Sequence, residues 1–191
     1  MHIVATILAG GEGRRIGGGK ALVALAGKPL IAHVAAALSG AEAIAVAGDA
    51  RTAAAIGAVQ LADPPGAPKG PLAGLSAGLF WAQSVDAEFL CVAPCDAPLL
   101  PRDLVPTLRD AIGDADAGYA ETSEGVEPLI SIWRVAPAAR EMSALRAGDH
   151  PPLRDLLSAL CAVSLPLSVA QAMNVNTPED LARAEALLAK L

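Results

Sequence analysis

Short apolar runs alternate along this chain with longer, often alanine-rich segments, and that alternation limits its fold more than any other feature. Runs at residues 2–8, 43–47, 59–62, 89–93, 117–120, 129–135 and 161–165 have strand length. The first, HIVATIL, is rich in β-branched side chains (Ile3, Val4, Thr6, Ile7) and is ended by glycines. Segments at 29–38, 50–56, 71–81, 103–112, 137–146, 153–160 and 178–190 have helix length. Strands separated by helices predict an α/β fold with a mostly parallel sheet. Apolar residues make up 53% of the chain but aromatic ones only 3%. The core must therefore be built from Ala, Leu, Val and Ile, which suits helices packed on a sheet.

Boundary signals support several of these elements. Thr177-Pro178-Glu179-Asp180 combines a capping hydroxyl, a proline at the first helical position and acids in the first turn. Pro106 is compatible with a helix only in its first turn, which places that helix start at Asp103. The chain shows no internal repeat and no long linker, so its 191 residues are expected to form a single domain, 1–191.

A formal net charge of −6 argues against general nucleic-acid binding, which needs basic surface to displace counterions from phosphates. No apolar run approaches the roughly 20 residues needed to cross a bilayer. The N-terminus carries no basic segment followed by an apolar stretch and a cleavage site, so a cytoplasmic location is expected. Cys91, Cys95 and Cys161 form no CxxC pair and lie near no histidine cluster; they read as buried small hydrophobes.

The chemistry is concentrated after the first strand, in LAGGEGRRIGGGKAL, residues 8–22. A dinucleotide fingerprint fails here, because the spacing from Gly11-Glu12-Gly13 to Gly17 is one residue too long and Gly17 to Gly19 would abort a helix. A P-loop fails too, since Lys20 is followed by Ala21, which has no hydroxyl for magnesium. What remains is a glycine loop whose backbone N–H groups can approach oxygens closely, with Arg14, Arg15 and Lys20 supplying positive charge. That is chemistry for a triphosphate; a surface turn with solvated basic residues is the competing reading. The stretch VAPCDAPLL, residues 92–100, ends another apolar run, and Pro94 and Pro98 hold Asp96 in a non-helical turn where a carboxylate can bind Mg²⁺. Asp63 closes a third run. Lys20, Asp63 and Asp96 thus converge at strand ends, where α/β sheets collect ligands.

These motifs carry a resemblance. LAGGEGRRIGGGKALVALAGKPLI resembles the signature of nucleotidyltransferases, and GPLAGL (70–75), CDAPLLP (95–101) and NVNTPEDL (174–181) resemble in particular the molybdenum cofactor guanylyltransferases. The resemblance runs in order from residue 3 to about 185. It implies a Rossmann-like three-layer sandwich of nucleotidyltransferase type, with a nucleotide-binding N-terminal half and an acceptor-binding C-terminal half. It also implies transfer of GMP from GTP to the phosphate of molybdenum-bound molybdopterin, with Mg²⁺ as cofactor and pyrophosphate released. By motif, Leu8, Ala9 and Gly10 would border guanine and ribose, and Lys20 would contact the triphosphate. Gly11, Arg15, Gly48, Asp63 and Gly74 would complete the nucleotide site. Asp96 would hold Mg²⁺, and Asn174 and Asn176 would lie near the metal and the acceptor phosphate. Transient contact with cofactor-delivering proteins is part of the same expectation. Attack of one phosphate on another needs charge neutralisation and alignment, so neither His33 nor His150 is required as a base.

The chain departs from the family in three places. Gly19 precedes the loop lysine where many relatives have Asp. Gly48 or Asp49 stands where the second strand often ends in Asn. Glu127 precedes Pro128-Leu129 where relatives often have His or Gln. A cytidylyltransferase, or a transferase with another small phosphorylated acceptor, is the alternative within enzymes. A catalytically silent nucleotide-binding regulator is the alternative outside them, and the presence of both Lys20 and Asp96 speaks against it.

Overall fold

The β-branched first run becomes the strand on which the sheet is built. In the computed structural model, which describes residues 1–10, 19–66, 70–145 and 151–190, β1 (Ile3–Leu8) is flanked on both sides by parallel partners. These are β4 (Ala43–Ala47) and β6 (Phe89–Pro94). With β5 (Val59–Leu61), β7 (Ala117–Thr122), β8 (Gly125–Arg134) and β9 (Ala162–Pro166) they form a seven-stranded sheet in the order β5-β4-β1-β6-β8-β7-β9. Among these strands β8 alone runs antiparallel to its neighbours. The mostly parallel sheet read from the sequence is therefore present, with one reversed strand inside it.

The two-residue alternation along β1 divides the core. Ile3, Ala5 and Ile7 face one layer with α1 (Leu30–Ala37), α2 (Ala50–Ala54) and α4 (Leu104–Ile112). Val4 faces the other, with α3 (Pro71–Ser84), α5 (Val135–Ala144) and α6 (Leu153–Ala159). The result is a three-layer sandwich. A smaller cluster of Leu25, Leu30, Leu99, Val175 and Ala184 seats α7 (Pro178–Leu188) against a two-stranded hairpin, β2 (Ala24–Leu25) and β3 (Lys28–Pro29). Ala26 and Gly27 both have positive φ, 48° and 78°, as the tight turn of such a hairpin requires.

Helix α3 lies unusually close to the sheet. A Cβ on Gly74 would stand 2.6 Å from Leu8 Cδ2, and one on Gly78 would stand 2.8 Å from Thr6 Oγ1. Two glycines one turn apart thus let α3 rest on β1 and carry its first turn to the carboxyl end of that strand.

Several boundaries differ from the sequence reading. The strand expected at 129–135 begins at Gly125, because it forms a hairpin with β7 that projects beyond β6 and needs no apolar side chains there. The helix expected from Pro137 starts directly after the strand at Val135, with Pro137 in the first turn where its missing N–H costs nothing. That helix ends at Ala144, short of Leu145, while residue 146 of the expected span lies outside the described residues. Cys91 and Cys95 are buried as expected, but Cys161 is exposed, since it precedes β9 at the sheet edge. No helix among the described residues is long and apolar enough to cross a membrane.

Candidate active site

A cleft of about 1130 Å³ opens at the carboxyl ends of β1, β4, β5 and β6. It is large enough for a nucleoside triphosphate, since small-molecule sites run to about 1,000 Å³. Leu8, Ala9 and Gly10 form its floor as they leave β1, and Ala9 N–H donates to Ala47 O at 2.8 Å. Gly48, Asp63, Gly70 and Gly74 line it from the neighbouring loops and from the first turn of α3. That turn begins with Pro71, which has no N–H, and its Ala73 N–H is paired with Gly70 O at 3.0 Å, so what it offers the cleft is chiefly the positive end of a 14-residue helix dipole.

The glycine that stands where the second strand could end in asparagine is closely packed. A Cβ on Gly48 would lie 3.0 Å from Ala9 Cβ and 3.2 Å from Ala9 O, so this position brings two backbone segments together. Asp49 also lines the cleft, but its carboxylate is used as the cap of α2. It accepts from Thr52 N–H and Thr52 Oγ1, each at 2.8 Å, and the first of these bonds is the main reason its pKa lies below the usual carboxylate value.

The charged centre is built from three distant segments. Gly19, in the left-handed region at φ 58°, starts the 3-10 turn Lys20–Leu22 and aims Lys20 into the cleft. Nζ of Lys20 donates to Asp96 Oδ2 and, at 2.5 Å, to Asn176 Oδ1. Asp96 follows the fully buried β6, and its carbonyl accepts from Val175 N–H at 2.8 Å, which fastens the NVNTP segment to the strand end. Asn176 is held in turn by the capping box of α7. Its N–H donates to Asp180 Oδ2 at 2.9 Å, while Thr177 and Asp180 cap each other. The Asn176 N–H is the leading reason that the Asp180 pKa is lowered.

Of the residues singled out in the sequence, Leu8, Ala9, Gly10, Lys20, Gly48, Asp63, Gly74, Asp96 and Asn176 line this cleft. Gly11 and Arg15 lie outside the described residues, as does His150. Asn174 is not among the lining residues; its Oδ1 is buried without a hydrogen-bond partner among the described residues. Gly74 lines the cleft, and a Cβ there would require the end of the Leu8 side chain to shift. The sequence reading did not single out Leu129. Between Tyr119 and Ala120 the register on β8 jumps from Ser131 to Glu127, so Pro128, Leu129 and Ile130 bulge out. Pairing of β6 with β8 ends at Val92 and Ser131, and the bulge brings Leu129 to the cleft wall beside Pro94. Pro128 was the visible signal, since it can donate no ladder hydrogen bond. Burial, and then the nearby Glu124, raise the pKa of Glu127 at the end of this bulge.

The arrangement suits charge neutralisation better than nucleophilic catalysis. Burial pushes the Cys95 thiol up to about 12, so it offers no thiolate beside Asp96. Among the described residues no group of three or more His, Cys, Asp or Glu could hold a metal alone. Asp96 and Asn176 nevertheless aim two oxygens at one cation, the Lys20 ammonium. Hard oxygen donors of small number fit Mg²⁺, which usually completes its shell with water and substrate phosphates.

Comparison with known proteins agrees with this geometry. The family model of the MobA-like NTP transferase domain matches residues 5–163. A molybdenum cofactor guanylyltransferase from Rhodobacter capsulatus is 41% identical over 187 residues, covering 97% of this chain and 96% of that protein. The crystal structure of molybdopterin-guanine dinucleotide biosynthesis protein A from Archaeoglobus fulgidus superposes with a TM-score of 0.78 at 26% identity, covering 98% of this chain and all of the other. A CMP:2-keto-3-deoxy-manno-octonic acid synthetase complexed with CTP shares the fold, with a TM-score of 0.77 at 18% identity over 100% of this chain and 99% of that one. The chain belongs to the MobA-like NTP transferases, in the family of molybdenum cofactor guanylyltransferases.

Proposed function

We propose that this protein transfers GMP from GTP to the terminal phosphate of molybdenum-bound molybdopterin, forming the guanine dinucleotide cofactor and releasing pyrophosphate. A phosphate oxygen of the acceptor attacks the α-phosphorus of GTP, the new P–O–P bond forms, and the bond to the β-phosphate oxygen breaks. The convergence of Lys20, Asp96 and Asn176 on one point at the mouth of the cleft carries this reading.

Two polyanions meet in such a reaction, and no side-chain nucleophile is needed. Lys20 supplies a positive charge to the triphosphate, and the N-terminal end of the α3 dipole adds a weaker, fixed one. Leu8, Ala9 and Gly10 border guanine and ribose, while Gly48 and Asp63 close the nucleotide side. We assign Mg²⁺ to Asp96, with Asn176 beside it; when bound it neutralises phosphate charge and helps align the reacting groups. The acceptor takes the side bordered by Leu129 of the β8 bulge and by Asn176, so the N-terminal half serves mainly the nucleotide and the C-terminal half mainly the acceptor.

Pyrophosphate release, measured with each of the four nucleoside triphosphates and with or without molybdenum-loaded molybdopterin, tests the proposal. Release is expected with GTP and only when the acceptor is present. Release with none of the four in the presence of acceptor and Mg²⁺ would overturn it.

A further inference from the structure

The two oxygens best placed to hold a divalent ion already hold a cation that belongs to the chain. Lys20 Nζ donates to Asp96 Oδ2 and to Asn176 Oδ1, across 76 and 156 residues of sequence. The Lys20 and Asp96 side chains are only 11% and 17% exposed, so their charges compensate each other away from bulk water. Each partner is also fixed independently of the lysine. The carbonyl of Asp96 is tied to Val175, and Asn176 is tied to the α7 capping box. The lysine is the movable member, a point charge on a four-carbon stem that extends into the cleft from a short 3-10 turn.

As placed, Asp96 Oδ2 and Asn176 Oδ1 favour one cation at a time. An ammonium and a divalent ion would compete for the same lone pairs and repel each other at contact distance. We propose that Lys20 and a metal ion are alternative occupants of one cation position. Lys20 keeps the metal from Asp96 until a triphosphate draws the ammonium away, so metal and nucleotide load together. This rests on the assignment of Asp96 as the metal ligand. It gives Lys20 a second task beside phosphate binding, namely setting the order in which the site fills.

The occupancy of Lys20 sets the size of the effect. If it holds the position in at least nine molecules of ten, the apparent metal affinity of the protein alone is lowered about tenfold or more. The test is titration of the full-length protein, without nucleotide, with Mn²⁺ as the probe, followed by electron paramagnetic resonance of the free ion. Lys20→Met keeps the length of the stem and removes the charge. It should bind Mn²⁺ at least about tenfold more tightly than wild type. The gain should vanish in Lys20→Met combined with Asp96→Asn. Lys20→Gln, read in the same way, covers a folding failure of the methionine variant. Equal Mn²⁺ affinity in wild type and the Lys20 variants, or a gain that survives Asp96→Asn, would overturn the proposal. The guanylyl-transfer reading is judged separately, by pyrophosphate release from GTP in the wild-type enzyme, so the two failures are distinguishable.

Discussion

Gly78→Ala should destabilise the protein by about 1 kcal/mol, although alanine is the better helix former. In an exposed helix the exchange would gain about 1 kcal/mol from propensity. Here the new methyl group would lie 2.8 Å from Thr6 Oγ1, 3.1 Å from Leu90 Cδ2 and 3.2 Å from Thr6 Cβ. Thr6 is β-branched and sits wholly buried in the central strand, so it has little room to turn away. Overpacking of this kind costs about 1–3 kcal/mol, which outweighs the propensity gain. A net loss near 1 kcal/mol corresponds to about 2–4 °C in Tm for a chain of this length. Gly74→Ala supplies the contrast. Its methyl would meet the far end of the Leu8 side chain at 2.6 Å, which can rotate, and Ala47 Cβ at 3.2 Å, which needs to give by only a few tenths of an ångström, but Leu8 lines the nucleotide cleft. Gly74→Ala should therefore change Tm less and raise the KM for GTP more than Gly78→Ala does. Thermal unfolding of both variants, with Thr6→Ala added to Gly78→Ala to relieve the clash, measures the effect. A Gly78→Ala protein as stable as wild type, or no recovery in the double variant, would refute the claim that close packing of α3 is what the glycines provide.

Asp96→Asn should abolish transfer at saturating Mg²⁺ while the circular dichroism spectrum stays that of wild type; activity near wild type would refute its role as metal ligand. Lys20→Ala should lose about 2–4 kcal/mol of transition-state stabilisation, roughly 30- to 1,000-fold in kcat/KM, and a change under about tenfold would mean that its charge does not serve the reaction. Asp49 and Asp180 both have pKa values lowered below the ordinary 3.8, by the N–H groups of Thr52 and of Asn176 respectively. Their stabilising effect is thus complete above the unfolded value and is lost as pH falls through the lower folded values. Unfolding midpoints measured downward from about pH 5 should fall less steeply in an Asp49→Asn, Asp180→Asn protein than in wild type, and parallel curves would contradict the capping account.

The order of strands and helices was legible because the apolar runs are short, rich in Ile and Val, and separated by good helix formers. The direction of β8 was not, because a parallel and an antiparallel strand present the same alternating side chains, and the distinguishing hairpin is made of polar Thr122, Glu124 and Gly125. The β2–β3 hairpin was missed for a related reason: four paired residues around Ala26 and Gly27 are too few to show a period. In the site, Lys20 and Asp96 were visible as charges at strand ends. That Asn176 rather than Asn174 faces them depends on the Asp180 cap of α7, a relation between side chain and backbone that spacing alone does not express. Gly48 looked like a lost asparagine, yet it packs so closely on Ala9 that a side chain there would require the Ala9 segment to give by a few tenths of an ångström.

The central claim is that a guanylyl group passes from GTP to a molybdopterin phosphate in this cleft. It is tested most directly by following label from the α-phosphate of GTP, and in parallel of CTP, into molybdenum-loaded molybdopterin. Guanine presents donors and an acceptor that cytosine does not match, and each polar group left unpaired in a closed pocket costs about 1–3 kcal/mol. Two or three such defects predict kcat/KM for GTP on the order of a thousandfold above that for CTP. Label is expected in the acceptor from GTP and almost none from CTP. No transfer from GTP, or equal transfer from CTP, would contradict the claim.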